Sequence, residues 1–205
     1  MKFFKYSGHK TYSILTIGLS IVLIISAYWI VKFIYSLIIN EPMLSPNTFP
    51  VSIFMTNNHY FANRVKDIYL GDISGQLLFL KPSLGLQLYS GFYTTIIWTT
   101  LSYIIYLLRK ITWTTIKGNP FVKENGKRLR TVGILVVTIP FLLWFLRSFI
   151  DNPIISSIKI DNVKLMPAGI PEILYLSLGA GIFLIVLSEV FRIGTSLKEE
   201  NELTV

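Results

Sequence analysis

Residues 14–39 read ILTIGLSIVLIISAYWIVKFIYSLII, 26 residues interrupted by one charge, Lys32. As a helix rising 1.5 Å per residue, this run extends about 39 Å, enough to cross a hydrocarbon core of about 30 Å with some tilt. Three further apolar stretches follow at residues 84–108, 132–150 and 170–191. Four of them in 205 residues leave no polar mass to cover them as core helices of a soluble protein. The fold expected is an all-α membrane protein: one integral domain over residues 1–205, a four-transmembrane-helix bundle.

Composition agrees. Hydrophobic residues make up 52% and charged residues 15%, against about 25% charged in an ordinary soluble domain, and mean hydropathy is +0.58. A soluble enzyme and a disordered chain are both disfavoured. No cysteine is present, which removes disulfides, thiolate catalysis, zinc–cysteine sites and iron–sulfur clusters. Lys2, Lys5 and Lys10 precede the first stretch as a positive n-region. That stretch is about twice as long as the 7–15 residues of a cleaved signal core, and no A-x-A site follows, so it reads as a retained signal anchor.

The net charge of +8 resolves into a threading signal. Lys2, Lys5, Lys10, Arg109, Lys110, Lys117, Lys123, Lys127, Arg128, Arg130, Arg192 and Lys198 fall on one side of the spans. Arg64, Lys66, Lys81, Lys159 and Lys164 fall on the other. By the positive-inside rule, the termini and the middle connection are cytoplasmic. A cytoplasmic hairpin is expected at residues 109–131, a cytoplasmic tail at 192–205, and outer loops at 40–83 and 151–169. The expected location is the inner (plasma) membrane, with the lipid bilayer as partner and no direct contact with nucleic acid.

In the first outer loop, Pro42, Pro46 and Pro50 argue against helix. FPVSIFM, DIYLGD and GQLLFLK read as strands, with a turn at Asp72-Ile73-Ser74-Gly75. The second outer loop alternates apolar and polar residues in SIKIDNVKL, with a bulge or turn at Asp161-Asn162. Together they predict a small extracytoplasmic antiparallel β cap. In the hairpin, Gly118 suits a helix C′ position, Asn119 an N-cap and Pro120 the first helical turn. Phe121, Val122, Leu129 and Val132 are expected to pack on the facing helix, with Lys123, Lys127, Arg128 and Arg130 exposed. Pro140 is expected to kink the third span.

Gly118-Asn119-Pro120-Phe121, then Asn125, Arg128-Leu129-Arg130 and Gly133, form one distinctive segment. Leu187-Ser188-Glu189-Val190-Phe191-Arg192-Ile193-Gly194, running on to Leu197–Val205, forms another. With four spans, these resemble the bacterial membrane family called domain of unknown function 2975. The resemblance covers the second half of the chain. It implies a four-span inner-membrane protein with no established activity and no catalytic residue to carry over. It also implies a chain that ends here, and the company of a small helix-turn-helix regulator.

The charges near the spans have structural explanations. Glu189 and Arg192 are spaced to pair on one helix face; the alternative is that Glu189 binds Arg128 or Arg130 and locks the hairpin to the fourth span. Arg147 has Asp151 four residues on, and Lys32 is long enough to snorkel to the outer interface. Thr94, Thr95, Thr99, Thr100 and Ser102 in the second span, and Ser177, Gly179, Ala180 and Gly181 in the fourth, favour close helix packing or a homo-oligomer contact. His9 and His59 fall on opposite sides, so they cannot share a metal. No catalytic motif occurs, no cofactor or metal site is expected, and an enzyme is not expected. The basic hairpin suits anionic lipid or, more sharply, a cytoplasmic protein partner. The expected role is non-enzymatic, regulatory or accessory, exercised through Gly118, Asn119, Pro120, Phe121, Asn125, Arg128, Arg130, Glu189 and Arg192. The alternative is a small-solute or peptide transporter, or an exporter or immunity protein.

Overall fold

A computed structural model of the chain describes residues 2–39, 48–55, 73–78, 83–157, 163–167 and 172–203. Four helices dominate: α1 (Lys2–Ile39), α2 (Leu84–Ile116), α3 (Lys123–Ser157) and α4 (Glu172–Leu203). Each is long and apolar enough to cross a membrane, which makes this a helical, multi-pass membrane protein. The helical state follows from the solvent. A backbone in hydrocarbon has no water to bond, so its N–H and C=O groups must pair within the segment. The hydroxyls obey the same rule. Ser13, Thr16, Ser20 and Ser26 each donate to the carbonyl four residues back in α1. Thr95 and Ser102 do the same in α2, so these two satisfy themselves rather than bridging to a neighbouring helix.

The helices associate as two antiparallel pairs. α1 lies along α2 and α3 along α4, with a smaller α2–α3 contact joining them. In the first pair, Phe33 covers the bare backbone of Gly91 and Gly8 faces Ile116. In the second, the helices cross where Gly133 and Gly181 face each other's carbonyls. Leu129, Val132, Leu143 and Leu174 supply much of the buried apolar core. The outer faces stay apolar, with Ile24, Ile38, Leu176 and Phe183 among the exposed residues, as expected where lipid is the solvent. This pairing places the start of α1, the α2–α3 connection and the end of α4 at one end of the bundle.

Three short strands, β1 (Thr48–Met55), β2 (Ile73–Leu78) and β3 (Val163–Pro167), pair antiparallel in the order β2-β1-β3. The sheet joins the α1–α2 connection to the α3–α4 connection. Thr48 pairs with Leu78 and Ile53 with Ile73, while Val51 pairs with Pro167 and Met55 with Val163. Pro50 lies just outside the stretch of β1 that β3 pairs, so the central strand carries it where only β2 is a neighbour.

Several expectations change. Ile73-Ser74-Gly75 is strand rather than turn, because pairing with Ile53-Ser52-Val51 outweighs the local turn preference. DIYLGD, and residues 158–162 with the expected Asp161-Asn162 bulge, lie outside the described residues. Helix continues beyond the expected spans. α3 passes Pro140 without a break and runs to Ser157, and α4 runs to Leu203 through most of the expected tail. Hydropathy marks where lipid compatibility ends, but backbone hydrogen bonding continues until a stop signal arrives. α3 also starts at Lys123 rather than Pro120. Asn119 therefore caps no helix and Pro120 opens none.

Candidate functional site

Gly118 determines how the hairpin turns. α2 ends at Ile116 with Lys117 as C-cap, and Gly118 adopts φ +84°, a left-handed conformation that costs other residues about 1–2 kcal/mol. Its N–H bonds the Thr115 carbonyl at 3.0 Å, and the Asn119 N–H bonds the Thr114 carbonyl at 3.1 Å. This two-bond arrangement satisfies the last carbonyls of α2 and turns the chain sharply. The Asn125 N–H bonds the Val122 carbonyl at 2.9 Å as α3 begins.

Asn125 is the centre of the hairpin. It is fully buried, so each of its polar atoms needs a partner. Its Nδ2 donates to Thr114 Oγ1 at 2.7 Å and to the Pro120 carbonyl at 2.9 Å. Its Oδ1 accepts from Arg128 Nη1 at 2.9 Å. One side chain thus ties α2, the connecting loop and α3 together. Arg128 is accordingly half-buried, not exposed as expected, because its guanidinium serves this network. Val122 is half-buried and Leu129 and Val132 are buried, while Lys123, Lys127 and Arg130 are exposed.

The end of α4 docks on the same hairpin. Phe121, expected on the facing helix of the hairpin, lies instead over Gly194 of α4, its ring 5.6 Å from that of Phe191 and tilted by 44°. Lys198 Nζ donates to Asn119 Oδ1 at 3.3 Å, so Asn119 serves as a cross-link between loop and α4 instead of a cap. Gly126 approaches the Ser188 carbonyl. Glu189 pairs with Arg192 on its own helix, at 2.6 Å from Nη2 and 2.8 Å from Nε. Arg128 does not reach Glu189; Arg130 lies close enough to feel its charge. A groove of about 360 Å³ runs between α3 and α4 here, lined by Lys123, Lys127, Arg130, Glu189, Arg192 and Glu199 among others.

The family model for a protein of unknown function, DUF2975, matches residues 83–205. The chain belongs to this family. Comparison with curated proteins and with solved structures found no match. The DUF2975 segment opens at Ser83, which caps α2 by accepting from the Leu86 N–H at 3.4 Å. It takes in α2, α3, β3 and α4, hence the whole hairpin network. α1, β1 and β2 precede it, and α1 attaches through Tyr12: Arg109 Nη2 donates to the Tyr12 hydroxyl at 2.7 Å, and Trp113 lies 5.1 Å from the Tyr12 ring.

Reading residue types missed Thr114, Gly126 and Lys198, which complete the DUF2975 hairpin. Thr114 gave no signal, because its contact spans two helices whose register no local pattern reveals. Elsewhere, Lys32 sits over the rings of Trp29 and Tyr28, at 5.2 and 5.8 Å. The Asp151 side chain and His59 lie outside the described residues, and His9 is exposed. Of the small residues of α4, Ser177 and Gly181 are buried in the bundle, while Gly179 and Ala180 are exposed. Among the described residues, no group of three His, Asp or Glu side chains converges on a metal position.

Proposed function

We propose that this protein is a non-enzymatic accessory or regulatory component of the plasma membrane, acting through the hairpin end of its bundle. The observation that carries the reading is the hairpin itself: a helical end joined by Asn125, Asn119 and Lys198 and carrying a concentration of cations. Such an end presents a defined, cationic surface to a partner. The positive-inside rule places it in the cytoplasm. The three-stranded sheet then caps the bundle on the outer side. The partner is a small helix-turn-helix regulator, as the family resemblance implies, docking on the hairpin turn and the nearby acidic run Glu199-Glu200.

The natural absence of cysteine makes the threading easy to test. In intact cells, Lys117→Cys is expected to resist a membrane-impermeant maleimide and Ser74→Cys to react with it. The opposite pattern would reverse the orientation. For the partner, Lys117→Glu changes an exposed side chain at the turn without touching Asn125. It is expected to reduce co-purification of the helix-turn-helix protein at least fivefold, and unchanged recovery removes the docking assignment.

A further inference from the structure

We propose that the groove between α3 and α4 at the hairpin end holds the phosphoryl group of an anionic phospholipid from the adjoining leaflet. Lys123, Lys127 and Arg130 stand at positions i, i+4 and i+7, one stripe along α3, and all three line the groove. All three are exposed, and Arg130 lies close enough to Glu189 to feel its charge. Across the groove, Arg192 engages Glu189, and Glu199 is the other carboxylate lining it. Cations therefore outnumber anions two to one. Gly126 brings no side chain to the floor, and the Ser196 hydroxyl on the facing wall adds a donor.

Level and flanks select the source of the phosphoryl group. The apolar part of α3 begins at about Thr131, and that of α4 ends at about Phe191, so the groove lies where headgroups begin. Beside it, one position round α4 from Glu189, Arg192 and Ser196, runs the stripe Val190, Ile193 and Leu197, exposed by 54, 49 and 55%. A cationic groove bordered by an open apolar stripe fits a molecule with a phosphoryl head and acyl chains. Free phosphate would leave the stripe uncovered. The inference shares only Glu199 with the partner reading and uses neither the hairpin turn nor the side of the membrane.

The test uses the full chain in neutral detergent, with native mass spectrometry of bound phosphatidylglycerol against phosphatidylcholine at equal concentration. The wild type is expected to retain phosphatidylglycerol preferentially. Each Lys or Arg at an anionic surface strengthens binding roughly fivefold. Lys127→Gln alone should therefore weaken the preference about fivefold, and Lys123→Gln/Lys127→Gln/Arg130→Gln should abolish it. The three side chains are exposed, so melting without lipid should be unchanged. Lys110→Gln/Lys117→Gln removes two cations near the same end outside the groove and should leave the preference intact. Retention by the triple variant, or equal loss in the control, overturns the proposal. Displacement of the lipid by millimolar inorganic phosphate assigns the groove to soluble phosphate and overturns the lipid source.

Discussion

Gly133→Ala is expected to destabilise the α3–α4 pair by about 1–3 kcal/mol, the usual range for forcing an extra methyl into a filled site. A Cβ at Gly133 would lie 2.9 Å from the Gly181 carbonyl oxygen and 2.8 Å from Ile185 Cγ1. The side chain of Ile185 can turn away, but a helix carbonyl cannot, so the helices must part. Gly181→Ala meets the same obstacle in reverse, 2.8 Å from the Gly133 oxygen. Close approach of this kind is how membrane helices gain packing energy when lipid tails are as apolar as their side chains. Gly179→Ala is the internal control, because a Cβ there meets nothing within 4 Å. Alanine at that position should be neutral or slightly stabilising. Thermal unfolding in detergent reads the difference, and equal midpoints for Gly133→Ala and Gly179→Ala would remove the crossing from its structural role.

Asn125→Leu should open the hairpin. It removes the bond that Asn125 gives the Pro120 carbonyl, which keeps the Val122 N–H at 3.2 Å, and the acceptor of Arg128 Nη1. Thr114 keeps a bond to the Ile111 carbonyl at 2.8 Å and is not orphaned. Both groups are half-buried, and the loss is one charge-assisted bond plus one of two bonds to Pro120, about 2 kcal/mol together. A loss of about 2 kcal/mol raises the population of locally opened hairpin by roughly thirtyfold, and proteolysis follows that population when closing is fast. Trypsin cleavage after Lys117 is the readout in the full chain. Asn125→Asp keeps an acceptor for Arg128 but cannot donate to Pro120, so its cleavage rate should fall between those of wild type and Asn125→Leu. A rate in Asn125→Leu equal to wild type would mean that the network does not hold the turn.

Both experiments concern contacts that residue patterns only partly reveal. The left-handed turn was legible, since Gly118 follows an apolar helix and precedes Asn119-Pro120. The next step differs from the local expectation. Asn-Pro is a good local helix start, yet the loop stays non-helical to Val122 because Asn125, Lys198 and Phe191 hold Pro120, Asn119 and Phe121 from the outside. Local propensity is worth a few tenths of a kcal/mol to about 1 kcal/mol, and three tertiary contacts outweigh it. The same local logic makes Arg128 a solvated charge, but its acceptor lies on Asn125, a side chain whose burial depends on α2. The pairing of Glu189 with Arg192 was legible because both partners belong to one helix turn.

The division has one physical cause. Hydropathy and charge act on each residue independently of its distant neighbours, through the contrast between lipid and water. Composition by itself therefore determined four apolar helices, the membrane as their solvent and an asymmetry of charge between the two ends. Contacts between helices depend on register, on which bare glycine meets which carbonyl and which amide reaches across a turn. Only the tertiary structure decided that α1 lies with α2 and α3 with α4, that Gly133 meets Gly181, and that Asn125 gathers the hairpin into one unit.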